Sequence, residues 1–197
     1  MKIIGITGPS GSGKSLLTNR LSTMGYPVID ADEVYHSLLV PPSKCLDALR
    51  EVFGNDIFSP DGTMDRVALA KIVFSDKAKL SLLNGTVLPM VLDTIEEMIR
   101  ELEKQGHGKV ILDAPTLIES GFYKKCNTVI SVLCPKEIRA ERIVLRDRIS
   151  AEKAYERINA QKDDSFYREH SHVVLVNDKD TEAFLSKAIA LLSGTVL

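Results

Sequence analysis

The chain has 197 residues, of which 44% are hydrophobic and 26% are charged, proportions typical of a globular protein with a full apolar core. Its 25 basic and 27 acidic residues leave a formal charge of −2, which disfavours a generic nucleic-acid-binding protein. The three cysteines form no CxxC pair, so we expect neither a disulfide framework nor a zinc site, and a reducing compartment fits. No apolar run reaches the ~18 residues of a membrane helix, and no signal peptide is evident, so we expect a cytoplasmic protein.

Five short runs rich in Ile and Val are predicted to be strands. They do not alternate apolar with polar residues, which is typical of strands buried on both faces of a parallel sheet. Helical patterns lie between them, and this alternation predicts a doubly wound α/β fold. The predicted strands span residues 2–6, 27–29, 109–113, 128–133 and 172–176.

Two prolines are expected to begin helices. The residues that follow Pro89 repeat apolar side chains at spacings of three and four, so a helix is predicted from Pro89 to just before Gly106. Pro135 is likewise expected to begin a helix that runs to about Asp147.

The spacing of the strands predicts an uneven single domain. A helical lobe is predicted over about residues 34–106, where helical patterns and turn signals replace strands. A second helical insert, dense in arginine and lysine, is predicted over about residues 135–169. The core would then consist of about residues 1–33, 107–134 and 170–197.

Residues 8–15 read GPSGSGKS, a complete G-x-x-x-x-G-K-S motif between a predicted strand and a predicted helix, which is the context that a P-loop requires. Glycines let backbone N–H groups face phosphate oxygens, and the helix start adds partial positive charge. Lys14 is expected to reach the β- and γ-phosphates, and Ser15 to bind Mg²⁺. A glycine-rich surface turn is the alternative, which the full match disfavours. The predicted nucleotide-binding residues of this loop are Gly8, Gly11, Ser12, Gly13, Lys14, Ser15 and Leu16.

P-loop proteins include GTPases, large ATPases and small-molecule kinases. No Asn-Lys-x-Asp segment that would read a guanine base is present, and the chain is short for a large ATPase. An arginine-rich insert after the fourth predicted strand is typical of a small-molecule kinase, in which it closes over the phosphates.

Two carboxylates follow the second predicted strand. In doubly wound sheets, ligands bind beyond the carboxyl ends of the strands, so a carboxylate there is well placed to accept a proton from an acceptor hydroxyl. We expect Asp30 to cap the next helix and Asp32 to face the site. The alternative is that both are turn residues.

Several segments along the chain form a specific combination. They are GITGPSGSGKS at residues 5–15, VIDAD at 28–32, GTMDRVAL at 62–69, DAPTLIE at 113–119, the Arg and Gln residues Arg142, Arg146, Arg157 and Gln161, and a final strand that ends in Asn177. The P-loop alone is widespread, whereas the combination is specific. With this combination, the sequence resembles the dephospho-CoA kinase family over nearly the whole chain.

This resemblance implies ATP-dependent phosphorylation of the ribose 3'-hydroxyl of dephospho-coenzyme A, the last step of coenzyme A synthesis. It implies a three-layer P-loop NTPase fold with a five-stranded parallel sheet, a helical acceptor-binding lobe and a helical lid. Asp32 would be the catalytic base, with Lys14, Mg²⁺ and lid arginines such as Arg142 neutralising transition-state charge. ATP and dephospho-CoA would be the partners of a monomer or weak homo-oligomer, with no nucleic acid or membrane.

Further residues are candidates with alternatives. Arg142 and Arg146, four apart, are expected to contact phosphates when the lid closes, although each could instead belong to a solvated face. Arg66 is a candidate for the acceptor's phosphates or for a surface ion pair. Asp113 could hold a Mg²⁺-bound water, and Asn177 could frame the adenine or merely turn the chain.

The sequence also departs from the family pattern. Leu88 stands where the family usually has His, Thr116 stands where Leu is usual, and Ser171-His172 replaces Ala-Asp. Three hypotheses therefore remain: a dephospho-CoA kinase, a kinase of the same architecture for another nucleoside, nucleotide or small hydroxyl acceptor, and an ATP-binding switch without transfer activity.

Overall fold

A computed structural model describes residues 1–178 and 180–195 of the chain. Residues 179, 196 and 197, which belong to the predicted core segment 170–197, lie outside the described residues. In the described part, no helix combines the length and the apolar character that crossing a membrane would require.

The strands form one sheet in the order β2-β3-β1-β4-β5. β1 pairs in parallel with β3 and β4, and β4 pairs in parallel with β5. The predicted five-stranded parallel sheet is thus confirmed, with strand bounds within one residue of those expected. The strands are β1 (Lys2–Thr7), β2 (Val28–Asp30), β3 (Lys109–Asp113), β4 (Thr128–Leu133) and β5 (Val173–Val176).

The register of the sheet decides where a ligand can bind. Ile6 of β1 lies opposite Asp113 of β3 and Ile130 of β4, so the loop that follows β1 emerges between the carboxyl ends of two neighbouring strands. This is the position at which doubly wound sheets bind ligands.

The helices of the described residues complete the α/β fold. In chain order they are α1 (Lys14–Thr23), α2 (Ala31–Ser37), α3 (Lys44–Phe53), α4 (Arg66–Phe74), α5 (Lys77–Lys104), α6 (Lys136–Asp147), α7 (Ala151–Asn159), α8 (Asp164–Glu169) and α9 (Thr181–Thr195).

The chain divides into two compact units. The first consists of residues 1–29 and 102–197, and its core joins the sheet to α1 and α9 through side chains such as Ile6, Leu17 and Leu192. The second consists of residues 30–101. In it, α3 and α4 both pack against a short 3-10 turn, Asn55–Ile57. The finer boundaries given above for the helical lobe and the lid stay predictions.

The prediction that Pro89 begins a helix is wrong, because Pro89 lies inside α5. The Asp76 carboxylate accepts the Ala78 N–H at 2.8 Å and so caps α5, whose first residue, Lys77, lies twelve positions before Pro89. Proline removes one hydrogen bond in a helix interior, and here the buried face of α5, with Val87, Val91 and Ile95, continues past it. The predicted end before Gly106 and the predicted helix after Pro135 are confirmed.

Candidate active site

The phosphate-binding motif lies where the sequence places it, between the end of β1 and the start of α1. Gly13 precedes the first residue of α1 with φ of 96°, a left-handed conformation that glycine adopts without strain. The first-turn N–H groups of a helix have no partner within it, and they carry the positive end of the helix dipole. The loop therefore offers donors and positive potential to an anion.

Asn177 lies directly against this loop. Its side chain is buried, its Nδ2 donates to the Ser12 carbonyl oxygen at 2.9 Å, and its backbone N–H donates to the Leu133 carbonyl oxygen at 2.8 Å. Asn177, the residue after β5, thereby connects the loop to the end of β4. It supports the loop, whereas the sequence indicated only a contact with the adenine or a chain turn.

Lys14 forms an ion pair with Asp113, the last residue of β3. The Asp113 side chain is 2% exposed and that of Lys14 is 12% exposed. Thr18 Oγ1, one turn further along α1, donates to the other Asp113 oxygen at 2.7 Å. Both carboxylate oxygens thus have donors, which compensates part of the cost of burying the charge.

Ser12 carries a buried hydroxyl without a partner. Its Oγ has no hydrogen-bond partner among the described residues, and the residue is 1% exposed. An unsatisfied buried polar group costs about 1–3 kcal/mol. A ligand oxygen in the loop would accept this hydrogen bond, which agrees with the predicted place of Ser12 in the nucleotide site.

Arg142, on α6, contacts the same loop through its guanidinium group. Its Nη1 donates to the carbonyl oxygens of Gly11 and Ser12 at 3.2 and 3.4 Å, and its Nη2 donates to Asn177 Oδ1 at 3.4 Å. These neutral acceptors leave the positive charge of Arg142 without a carboxylate counter-ion in the described residues.

Arg146, one turn further along α6, has a carboxylate partner. Its guanidinium binds Asp147 through Nε at 2.7 Å and Nη2 at 3.1 Å, and Nη2 also donates to Ser10 Oγ at 3.3 Å. Arg157 of α7 donates to the same carboxylate. The hydrogen bond from Arg146, and then the one from Arg157, lowers the pKa of Asp147 to about 2.

Two residues outside the predicted site also contact the loop. Arg139 of α6 donates from Nε to the Ser10 carbonyl oxygen at 2.9 Å, and Gln161 Oε1 accepts the Ser10 N–H at 3.1 Å. In the sequence, Arg139 is only one of the basic residues of the predicted insert, and Gln161 was assigned only by family resemblance. The spacing of residues 139, 142 and 146 along one helix face is the signal that could have found Arg139.

The second unit holds the remaining predicted site residues. Asp30 Oδ1 accepts the N–H groups of Asp32 and Glu33 at 2.8 and 3.2 Å, so its predicted role as a helix cap is confirmed. Asp32 lies exposed in the first turn of α2. Arg66 is exposed at the start of α4, and its charge offsets part of the rise that burial causes in the pKa of Tyr35.

The departures from the family pattern have local explanations at Ser171 and His172. Ser171 Oγ lies 2.5 Å from Ser131 Oγ. The ring nitrogen Nδ1 of His172 accepts the backbone N–H of Val129 at 3.0 Å. The backbone N–H of His172 donates to the Val129 carbonyl oxygen at 2.9 Å. An imidazole nitrogen can accept this N–H as a carboxylate oxygen would. Leu88 is half-buried inside α5, and Thr116 is exposed after β3.

Comparison with known proteins shows one consistent family. Residues 2–183 match the family model described as dephospho-CoA kinase. A protein of Corynebacterium glutamicum named dephospho-CoA kinase is 34% identical over 196 residues, which cover 98% of each chain. The crystal structure of TT1252 from Thermus thermophilus shares 31% identity over 100% of this chain and 98% of that one, with a TM-score of 0.85. A dephospho-CoA kinase from Campylobacter jejuni shares 25% identity over 98% and 96% of the two chains, with a TM-score of 0.74.

Proposed function

The chain belongs to the dephospho-CoA kinase family, and we propose that it transfers the γ-phosphoryl group of ATP to the ribose 3'-hydroxyl of dephospho-coenzyme A. The products would be coenzyme A and ADP, in the last step of coenzyme A biosynthesis. The observation that carries this proposal is the complete phosphate-binding loop, with Lys14 and a buried Asp113 beside it, in a chain that matches the family over residues 2–183.

ATP would bind with its phosphates in the loop of residues 8–15. The amides at the start of α1 and the Ser12 hydroxyl would donate to phosphate oxygens. The Lys14 ammonium would bind the β- and γ-phosphates and would share its charge between them and Asp113, with which it is paired. Leu16 would contribute its amide at the α-phosphate, and Asn177 would support the loop through the Ser12 carbonyl group.

Asp32 would accept the proton of the acceptor hydroxyl. As the 3'-oxygen forms its bond to the γ-phosphorus, the bond from that phosphorus to the β–γ bridging oxygen breaks and ADP leaves. A ribose hydroxyl is a weak acid, so Asp32 would orient the oxygen first and take the proton late. Its exposed position directly after β2 supports this role.

Arg142 and Arg146 of α6 would stabilise the negative charge that develops during transfer. Arg142 donates only to neutral groups in the described residues, so its charge is available to a phosphate. Arg146 would exchange Asp147 for a phosphate oxygen, which its exposed and paired guanidinium allows. Arg66 would bind a phosphate of the acceptor.

Mg²⁺ is part of this proposal, and the residues present fit it. Thr18 contacts Asp113, and Ser15 lies three residues before Thr18 on the same helix face. Ser15 would therefore supply a hydroxyl ligand, and Asp113 would hold a metal-bound water, both through the hard oxygen ligands that Mg²⁺ prefers. When bound, the ion would neutralise charge on the phosphate oxygens.

We propose a cytoplasmic location and a monomeric or weakly self-associating protein, with small-molecule substrates only. All three cysteines are free thiols, which suits a reducing compartment. Burial raises the pKa of Cys126 to about 12 and also raises the pKa of Cys45 and Cys134. These thiols are therefore poorly ionised and unreactive.

An acceptor panel tests the proposed function. ADP release is followed with dephospho-CoA and with a set of other nucleosides, nucleotides and small alcohols. Turnover with dephospho-CoA alone supports the proposal. Turnover only with another acceptor would assign a related kinase and would direct attention to Leu88, whereas ATP binding without turnover on any acceptor would indicate a switch.

A further inference from the structure

We infer that Arg139 and Gln161 are positioning residues, which hold the Ser10 segment of the P-loop in the conformation that binds ATP. This inference rests on the proposed use of ATP and adds two residues to which that proposal gives no role.

The two side chains and Ser10 form a closed ring of hydrogen bonds. Gln161 Oε1 accepts the Ser10 N–H at 3.1 Å, and Arg139 Nε donates to the Ser10 carbonyl oxygen at 2.9 Å. Arg139 Nη2 donates to Gln161 Oε1 at 2.8 Å and so joins the two partners. Both backbone polar groups of Ser10 are therefore fixed by side chains far away in the sequence.

Fixing the Ser10 carbonyl group also orients the next amide. The peptide between Ser10 and Gly11 is planar and trans, so its C=O and N–H point in opposite directions. Because Arg139 holds the carbonyl oxygen on one side, the Gly11 N–H is turned to the other side of the loop. A P-loop depends on such amide orientations, since its N–H groups must converge on phosphate oxygens.

Packing makes this contact close as well as polar. Gly11 has φ of 79°, and a Cβ built on it would lie 2.8 Å from the Arg139 carbonyl oxygen. The first turn of α6 therefore lies directly against the loop. A side chain at position 11 would therefore push this turn away from the loop and disturb the hydrogen bond from Arg139 to Ser10.

The burial of Arg139 indicates a role for its charge. The residue is 2% exposed, and no carboxylate of the described residues lies within ion-pair distance of it. Burial lowers the pKa of Arg139, and the negative charge of Asp164 offsets part of that effect. A buried cation without a close counter-ion is costly, and a polyphosphate bound in the loop would supply the missing negative charge.

ATP binding to the full chain, measured by calorimetry, tests the inference. The variants are Arg139→Met, which removes the charge and the donors, Arg139→Lys, which keeps the charge but not the planar fork, and Gln161→Met. Arg168→Met, at an exposed position of α8, is the matched control. Thermal unfolding without nucleotide is recorded for each variant, so that loss of fold is distinguished from loss of ATP binding.

We expect Arg139→Met and Gln161→Met each to raise the Kd for ATP about tenfold, equivalent to about 1.4 kcal/mol. The Kd of Arg139→Lys should lie between those of the wild type and Arg139→Met. The double variant should bind ATP no more weakly than the weaker single variant, because both break the same ring. The KM for the acceptor should not change, a split that a general loss of stability would not produce.

Two results separate this inference from the proposed function. If the wild type binds ATP and folded Arg139→Met and Gln161→Met bind it within twofold of the wild type, the inference is overturned. Should Arg139→Met fail to fold, Gln161→Met decides alone, because Gln161 is only half-buried. Absence of ATP binding by the folded wild type would overturn the proposed function itself.

Discussion

Asn177 leaves no room for a side chain at Gly13. A Cβ built on Gly13 would lie 2.2 Å from Asn177 Nδ2, while the same amide donates to the Ser12 carbonyl oxygen at 2.9 Å. Asn177, which follows β5, can therefore contact the P-loop in this way only when residue 13 is glycine. The loop conformation thus depends on a contact between residues 164 positions apart in the sequence.

Gly13→Ala should therefore abolish measurable ATP binding and lower the melting temperature. The added methyl group must displace Asn177 and break its hydrogen bond to Ser12. Gly25→Ala is the matched control, because Gly25 also has a positive φ, of 89°, but no atom lies within 4 Å of a Cβ built there. Gly25→Ala should lower the free energy of unfolding only by the strain of a left-handed alanine, about 1–2 kcal/mol, and should leave ATP affinity unchanged. Equal ATP affinity in the two variants would contradict the steric argument.

His172 should stabilise the β4–β5 edge through its ring nitrogen. His172→Leu leaves the Val129 N–H without its acceptor and should lower the free energy of unfolding by about 1 kcal/mol, whereas His172→Asp should restore most of the loss. Denaturant unfolding of the wild type and the two variants measures these differences in the free energy of unfolding. Identical stability of all three proteins would refute the role of this hydrogen bond.

Asp147 should remain ionised over the whole physiological range. The Arg146 and Arg157 guanidinium groups lower its pKa to about 2, below the usual value of about 3.9. Because the pKa is lower in the folded protein than in the unfolded chain, the ion-paired carboxylate stabilises the fold above about pH 4, and this contribution is lost as the pH falls towards 2. An NMR titration of the carboxyl carbon measures the pKa directly. A midpoint near 4 would show that the arginines do not hold this carboxylate in solution.

Asp32→Asn should keep ATP affinity while lowering turnover at least ~100-fold, because the amide cannot accept the hydroxyl proton. Lys14→Ala provides the contrast, since it should weaken both ATP binding and turnover. Steady-state rates and calorimetric ATP titrations of both variants measure these effects. Unchanged turnover in Asp32→Asn would remove Asp32 from the mechanism.

Much of the fold follows from local sequence patterns. Strands such as Lys109–Asp113 are short apolar runs bounded by turn residues, and the P-loop motif specifies its own strand and helix context. Pro89 was the exception, because local helix propensity predicts a boundary there, while burial along α5 on both sides of it favours a continuous helix.

The position of a residue was predictable where it lies within one motif, as at Lys14 and Ser15, which begin α1. The role of a residue was not predictable where it depends on tertiary burial. Arg139 looks like any surface arginine in the sequence, and only its contact with Ser10 and its burial distinguish it. Asp32 and Arg66 lie in the second unit, and their functional roles stay predictions.

The proposed activity is tested most directly by the mass of the product that the purified protein forms from ATP and dephospho-CoA. We expect one equivalent of ADP and a product heavier by one phosphoryl group, which NMR should locate on the ribose 3'-oxygen. ADP release without phosphorylation of dephospho-CoA, or phosphorylation at another oxygen, would contradict it.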